Sequence, residues 1–117
     1  MTTPANAAEV RDNAENRRFE IWVDGELAGF TTYVLRSGSI SFLHTELDKR
    51  FQGQGLAHEL IAAALGSARQ RGLEVLPFCP YVRGFIEQHR EFVDLVREQD
   101  RMRFGLSSSS DPAPTNS

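Results

Sequence analysis

The chain has 117 residues, 40% of them apolar and 25% charged, with a formal charge of −3. That length suits one hydrophobic core, and the composition is that of an ordinary globular protein, which excludes wholesale disorder and a second large domain. The acidic balance would repel a phosphate backbone, so no nucleic-acid partner is expected, and the single cysteine excludes an internal disulfide or a cysteine-rich metal cage.

Residues 1–16 are rich in Ala, Asn, Thr and charge, with no apolar period, and read as a disordered tail. Met1 to Ala8 has neither the basic start nor the apolar segment of a secretory signal, so the cytoplasm is the expected address. The folded domain is expected over 17–106. Phe19 to Val23 is aromatic and β-branched, and Asp24-Gly25 after it is a strong hairpin signal. A second strand should run from Leu27 to Leu35 and end at the turn cluster Arg36-Ser37-Gly38-Ser39, with a third from Ile40 to about Glu46. Leu56, Leu60, Ile61, Ala64, Leu65 and Ala68 then recur at helical spacing, and Arg69-Gln70-Arg71-Gly72 is a helix stop. Leu73 to Phe78 reads as a central strand, parallel to its neighbour across the helix, although Pro77 removes a ladder donor. A last helix is expected from Tyr81 to about His89, with an amphipathic segment through Phe92, Val93, Leu95 and Val96, and 107–117 reads as a Ser- and Pro-rich disordered tail. No apolar stretch approaches the roughly 20 residues that span a bilayer, so no membrane partner is expected. The sum is an α+β fold with a mixed sheet, an antiparallel N-terminal meander and the order βββ-α-β-α.

Between the third strand and the main helix lies Gln52-Gly53-Gln54-Gly55-Leu56-Ala57. Two glycines let successive backbone N–H groups converge on one point, and a helix starting at Leu56 adds its positive end, so a pyrophosphate fits this loop. The bare pattern is equally that of a flexible strand-to-helix connection. A Walker loop would end Gly-Lys-Ser/Thr, whereas Leu56 and Ala57 follow Gly55, and a Rossmann fingerprint would want glycine or alanine where His58 stands. Nucleotide hydrolysis and NAD binding are therefore disfavoured.

The same six residues resemble the motif Arg/Gln-x-x-Gly-x-Gly/Ala of the GNAT acetyltransferase superfamily. Together with His44-Thr45-Glu46-Leu47 and Cys79-Pro80-Tyr81-Val82 they are similar to its small one-domain YjdJ-type group, over Arg18 to Val96. The resemblance implies a minimal GNAT-like fold. It also implies an acetyl-CoA-dependent N-acetyltransferase, without a metal, whose coenzyme lies between two splayed central strands. The diphosphate would rest on Gln52, Gly53, Gln54, Gly55, Leu56 and Ala57, with Lys49 and Arg50 flanking, and the pantetheine arm would pass Glu46 and Leu47. Glu46, at the end of the third strand, is then the candidate general base, tuned upward by partial burial, its alternative being a solvated strand-end glutamate. His44, two residues and roughly 7 Å along the same face, is a candidate proton relay, its alternative being a packed or surface histidine. Cys79 would face the cleft as nucleophile or acid, its alternative being a packed small hydrophobe. Many relatives carry a tyrosine acid where Phe85 stands, which leaves Tyr81 as the nearest hydroxyl. The acceptor would be an amine on a small molecule or a protein, and a second copy of the chain could cover the sheet face that larger relatives shield with helices. A CoA-binding or interaction module with little transferase activity is the alternative.

Overall fold

A computed structural model describes residues 8–106. Five strands form one sheet in sequence order: β1 (Ala8–Asn13), β2 (Arg18–Val23), β3 (Glu26–Arg36), β4 (Ser39–Leu47) and β5 (Glu74–Pro77). The first four pair antiparallel and β5 joins β4 in parallel. Helix α1 (Leu56–Gln70) makes the crossover between β4 and β5. It is followed by α2 (Pro80–Gln88), a 3-10 segment over Arg90–Leu95 and the short α3 (Glu98–Arg101).

The meander and crossover follow the turn chemistry. Asp24 and Gly25 hold φ values of 49° and 82°, the two positive angles that a tight hairpin with right-handed strand twist requires. All six predicted apolar positions of α1 are buried, and the helix ends in a Schellman motif in which Gly72 N–H bonds Arg69 O and Leu73 N–H bonds Ala68 O. This stripe meets Phe19, Ile21, Tyr33, Ile40, Phe42 and Val75 of the sheet, with Val82, Phe85 and Ile86 of α2 completing one core. Each of the fully buried large aliphatics contributes roughly 1.5–3 kcal/mol relative to an exposed position. The observed architecture is the α+β mixed sheet expected.

Two expectations are corrected. Part of the segment read as an N-terminal tail forms β1, so the order opens with four strands before α1. Ala8 and Val10 pack against the core, and Asp12 accepts a hydrogen bond from the buried Tyr33 hydroxyl while pairing with Arg71 at 3.5 Å. The other residues of that tail before Ala8, and all of 107–117, lie outside the described residues. Secondly, β5 is the last strand of the sheet, not a central one. Its outer edge has no ladder partner among the described residues, which is why Pro77 is tolerated there.

Candidate active site

The site begins where β4 and β5 part. Their ladder runs from Ser39↔Glu74 to Phe42↔Pro77, and β4 then continues alone to Leu47. Leu43 is an extra residue there, since the β3 register passes from Thr32↔His44 to Tyr33↔Phe42. Such a bulge bends its strand and re-aims the residues beyond it. Asp48 N–H bonds Ala28 O at 2.7 Å and so faces β3; strand alternation therefore turns the N–H and C=O groups of Thr45 and Leu47 toward the gap left by β5. Cys79 N–H closes the inner end of that gap by bonding Phe42 O at 2.8 Å.

The glycine loop lies beyond β4. Gly53 and Gly55 hold φ of 85° and 76°, angles that disfavour any residue with a Cβ, and the space a Cβ would fill at either is open. Gly55 caps α1 with no side-chain hydrogen bond, which leaves the first-turn amides without an intrahelical acceptor. Backbone donors and the positive end of a 15-residue helix thus face open space, an arrangement that suits a diphosphate. Gln52 turns its side chain to Leu47 O at 3.4 Å, which ties the loop to the end of β4. Arg50 is already engaged: its N–H and guanidinium hold the Asp48 carboxyl below its usual range, and it also pairs with Glu26 at 3.3 Å.

A groove of about 310 Å³ runs along α2, lined by His58, Pro80, Tyr81, Gly84, Phe85, Gln88 and His89. It reaches α1 at His58, in the first helical turn, whose ring packs edge-on against Phe85 and His89 at 4.9 and 4.8 Å. Tyr81 is exposed along it and Phe85 is buried beneath it. Nothing in the glycine motif signals His58 or this groove; both depend on how α2 docks.

Residues 18–95 match the model of the GCN5-related N-acetyl-transferase family. The chain belongs to this family. The structure of a GCN5-like protein from Staphylococcus aureus, solved by NMR, has a TM-score of 0.60 and 21% identity; the match covers 76% of this chain and 87% of that one. It has the same fold. Ard1 from Thermoplasma volcanium is 25% identical, with a TM-score of 0.47 and coverage of 56% and 45%. The ribosomal-protein-alanine N-acetyltransferase of Brucella melitensis biovar Abortus 2308 is 20% identical, with a TM-score of 0.48 and coverage of 68% and 62%. No relative was found among curated proteins.

Within this GNAT chain the three candidate catalytic residues separate onto two faces. His44 and Glu46 lie on the face away from α1, with Nε2 of the one 2.9 Å from Oε2 of the other. Both are open to solvent, at 59% and 61% exposure, so the partial burial expected for Glu46 is not seen. Glu46 also lines a cavity of about 180 Å³ with Gly29 and Phe30. Gly29 is required there, because a Cβ would come within 2.6 Å of Glu46 O. Cys79 lies on the other side, 3% exposed, with its sulfur 3.3 Å from Thr45 Oγ1. Thr45 in turn donates to Thr31 Oγ1 at 2.9 Å. The sequence carries no signal for a role of Thr45 beyond its place between His44 and Glu46. Among the described residues no His, Cys, Asp or Glu cluster could hold a metal, and no helix is long and apolar enough to cross a membrane.

Proposed function

We propose that this GNAT protein transfers the acetyl group of acetyl-CoA to an amine. The observation that carries the reading is the gap beyond Phe42 and Pro77, which opens beside an uncapped helix start carrying two left-handed glycines. The backbone of Gln52, Gly53, Gln54, Gly55, Leu56 and Ala57 would hold the diphosphate, and the edge groups of Thr45 and Leu47 would pair with the amides of the pantetheine arm. Bound there, acetyl-CoA supplies an activated acyl carbon and a thiolate leaving group.

The chain's own residues supply alignment and a proton acceptor. An amine reaches the reaction as an ammonium ion and must lose a proton before its lone pair can attack. Glu46 accepts that proton, and His44 at 2.9 Å passes it on to solvent. The cavity beside Glu46 is small, at about 180 Å³, and the acceptor is an amine on a small molecule or a protein. Cys79 is a positioning residue in this scheme: its backbone pins β5 to β4 at the head of the gap, and its buried thiol packs on Thr45.

Thermal unfolding with CoA, and with NAD as control, tests the coenzyme reading. A saturable rise in Tm with CoA alone is expected, since a ligand that binds only the native state stabilises it. A Tm unmoved by CoA overturns the proposal. Free thiol released from acetyl-CoA in the presence of an amine then establishes transfer, whereas binding without release favours a CoA-binding module.

A further inference from the structure

Another pocket lies beside β5 and α2. It has a volume of about 300 Å³ and is lined by four residues: Phe78 after β5, Arg83 on α2, and Arg103 and Phe104 after α3. Two aromatic rings and two guanidinium groups make an unusual lining for a protein of net charge −3. Phe78 is 47% exposed, and its ring meets that of Phe104 edge to face at 5.1 Å. Arg103 lies over both rings, 5.6 and 4.8 Å from their centroids.

The two arginines are short of counter-charge. Arg83 has no carboxylate partner among the described residues; it makes one long bond, Nη2 to Phe78 O at 3.5 Å. Its Nε is buried and has no hydrogen-bond acceptor, alone among the described side-chain polar atoms. Buried donors are nearly always satisfied, so this guanidinium, on a residue that lines the pocket, is held by fewer partners than its burial calls for. Arg103 reaches Asp100 only at 3.8 Å, and Asp100 is shared with Arg97 at 3.4 Å.

We propose that Phe78, Arg83, Arg103 and Phe104 bind a small carboxylate carried on an aromatic or aliphatic body. The planar fork of a guanidinium matches two carboxylate oxygens, and the phenyl rings remove the apolar body from water. Nothing in this site depends on the coenzyme reading, so the two can fail separately.

Titration of the full chain with benzoate, followed by NMR at the Arg83 Nε–H and the Phe78 and Phe104 rings, tests the site. Saturable shifts at these groups are expected. Neutral benzamide and inorganic phosphate should bind at least about tenfold more weakly, each lacking one half of the recognition. Arg83→Gln and Arg103→Gln should each weaken benzoate by about tenfold or more. Because they stand on separate segments, a folding defect in one leaves the other informative. No saturable shift, equal binding of benzamide or phosphate, or unchanged affinity in a folded variant overturns the proposal.

Discussion

The imidazole Nε2 of His44 lies 2.9 Å from Oε2 of Glu46, on the face of β4 turned away from α1. The pair exists because the bulge at Leu43 sets the register beyond it, so that both side chains emerge on the accessible side of the sheet. If Glu46 takes the acceptor's proton, Glu46→Gln should lower kcat by about 10²- to 10⁴-fold while leaving CoA affinity unchanged. His44→Gln should lower it less, because His44 acts through Glu46. Steady-state thiol release with calorimetric CoA binding separates these effects; full activity in Glu46→Gln would remove the base from the scheme.

Gly55→Ala places a Cβ on a residue with φ of 76° at the start of α1. The left-handed conformation should cost about 1–2 kcal/mol of stability, readable by urea unfolding. CoA affinity should fall as well, since the strain of a Cβ at this φ disturbs the loop whose amides would hold the diphosphate. A variant that loses stability and keeps its affinity would put the diphosphate elsewhere.

Cys79→Ala should leave transfer nearly intact and cost about 1 kcal/mol of stability from the lost packing. Intact mass after incubation with acetyl-CoA should show no acetyl group on Cys79, because the thiol is buried against Thr45. An adduct that vanishes in this variant would instead make the cysteine a nucleophile.

Glu20 is 4% exposed and accepts hydrogen bonds from Asn13, Arg18 and the indole of Trp22 at 2.9, 2.7 and 3.0 Å. Burial pushes its carboxyl up, but the three donors and the Arg18 charge together outweigh burial and hold it below the ordinary value of 4.5. A depressed value means that Glu20 stabilises the fold fully above the unfolded value and loses that contribution as pH falls through the folded one. Glu20→Gln should therefore unfold more readily near neutral pH, and its deficit should shrink on acidification. Trp22, the only tryptophan, reports both in its fluorescence.

Tyr33 donates to Asp12, and burial with that bond pushes its hydroxyl up to about 12. Its contribution to stability is thus present below the ordinary tyrosine value of 10.0 and lost as pH rises through the folded value. Tyr33→Phe should cost about 1 kcal/mol at neutral pH and loosen β1. Hydrogen exchange over residues 8–13 is the measurement: unaltered protection would mean that Val10 and Arg71 suffice to hold the strand.

The parts of this fold that are legible in the sequence are those fixed by local chemistry. Asp24-Gly25 dictates a hairpin, and six apolar residues at helical spacing dictate the buried face of α1. The glycine loop is legible because conformation and motif coincide in it. β1 is not, since Ala8 and Val10 are its only apolar residues, and two make too short an alternation to stand out from a charged segment. The contact of His44 with Glu46 follows from strand period, yet their exposure depends on what covers the sheet. Thr45, the α2 groove and the arginine pocket arise from docking between segments far apart in the chain, where no spacing rule reaches.

Both margins of the sheet are defended against joining another sheet. On one side β1 carries Glu9 bonded to Arg11, a charged pair that a neighbouring strand would have to strip of water. On the other, β5 is only four residues long and ends in Pro77, which offers no amide to continue a ladder. A sheet whose two rims have no ladder partner among the described residues would otherwise be an invitation to fibre growth. Its rims make association by strand addition unfavourable.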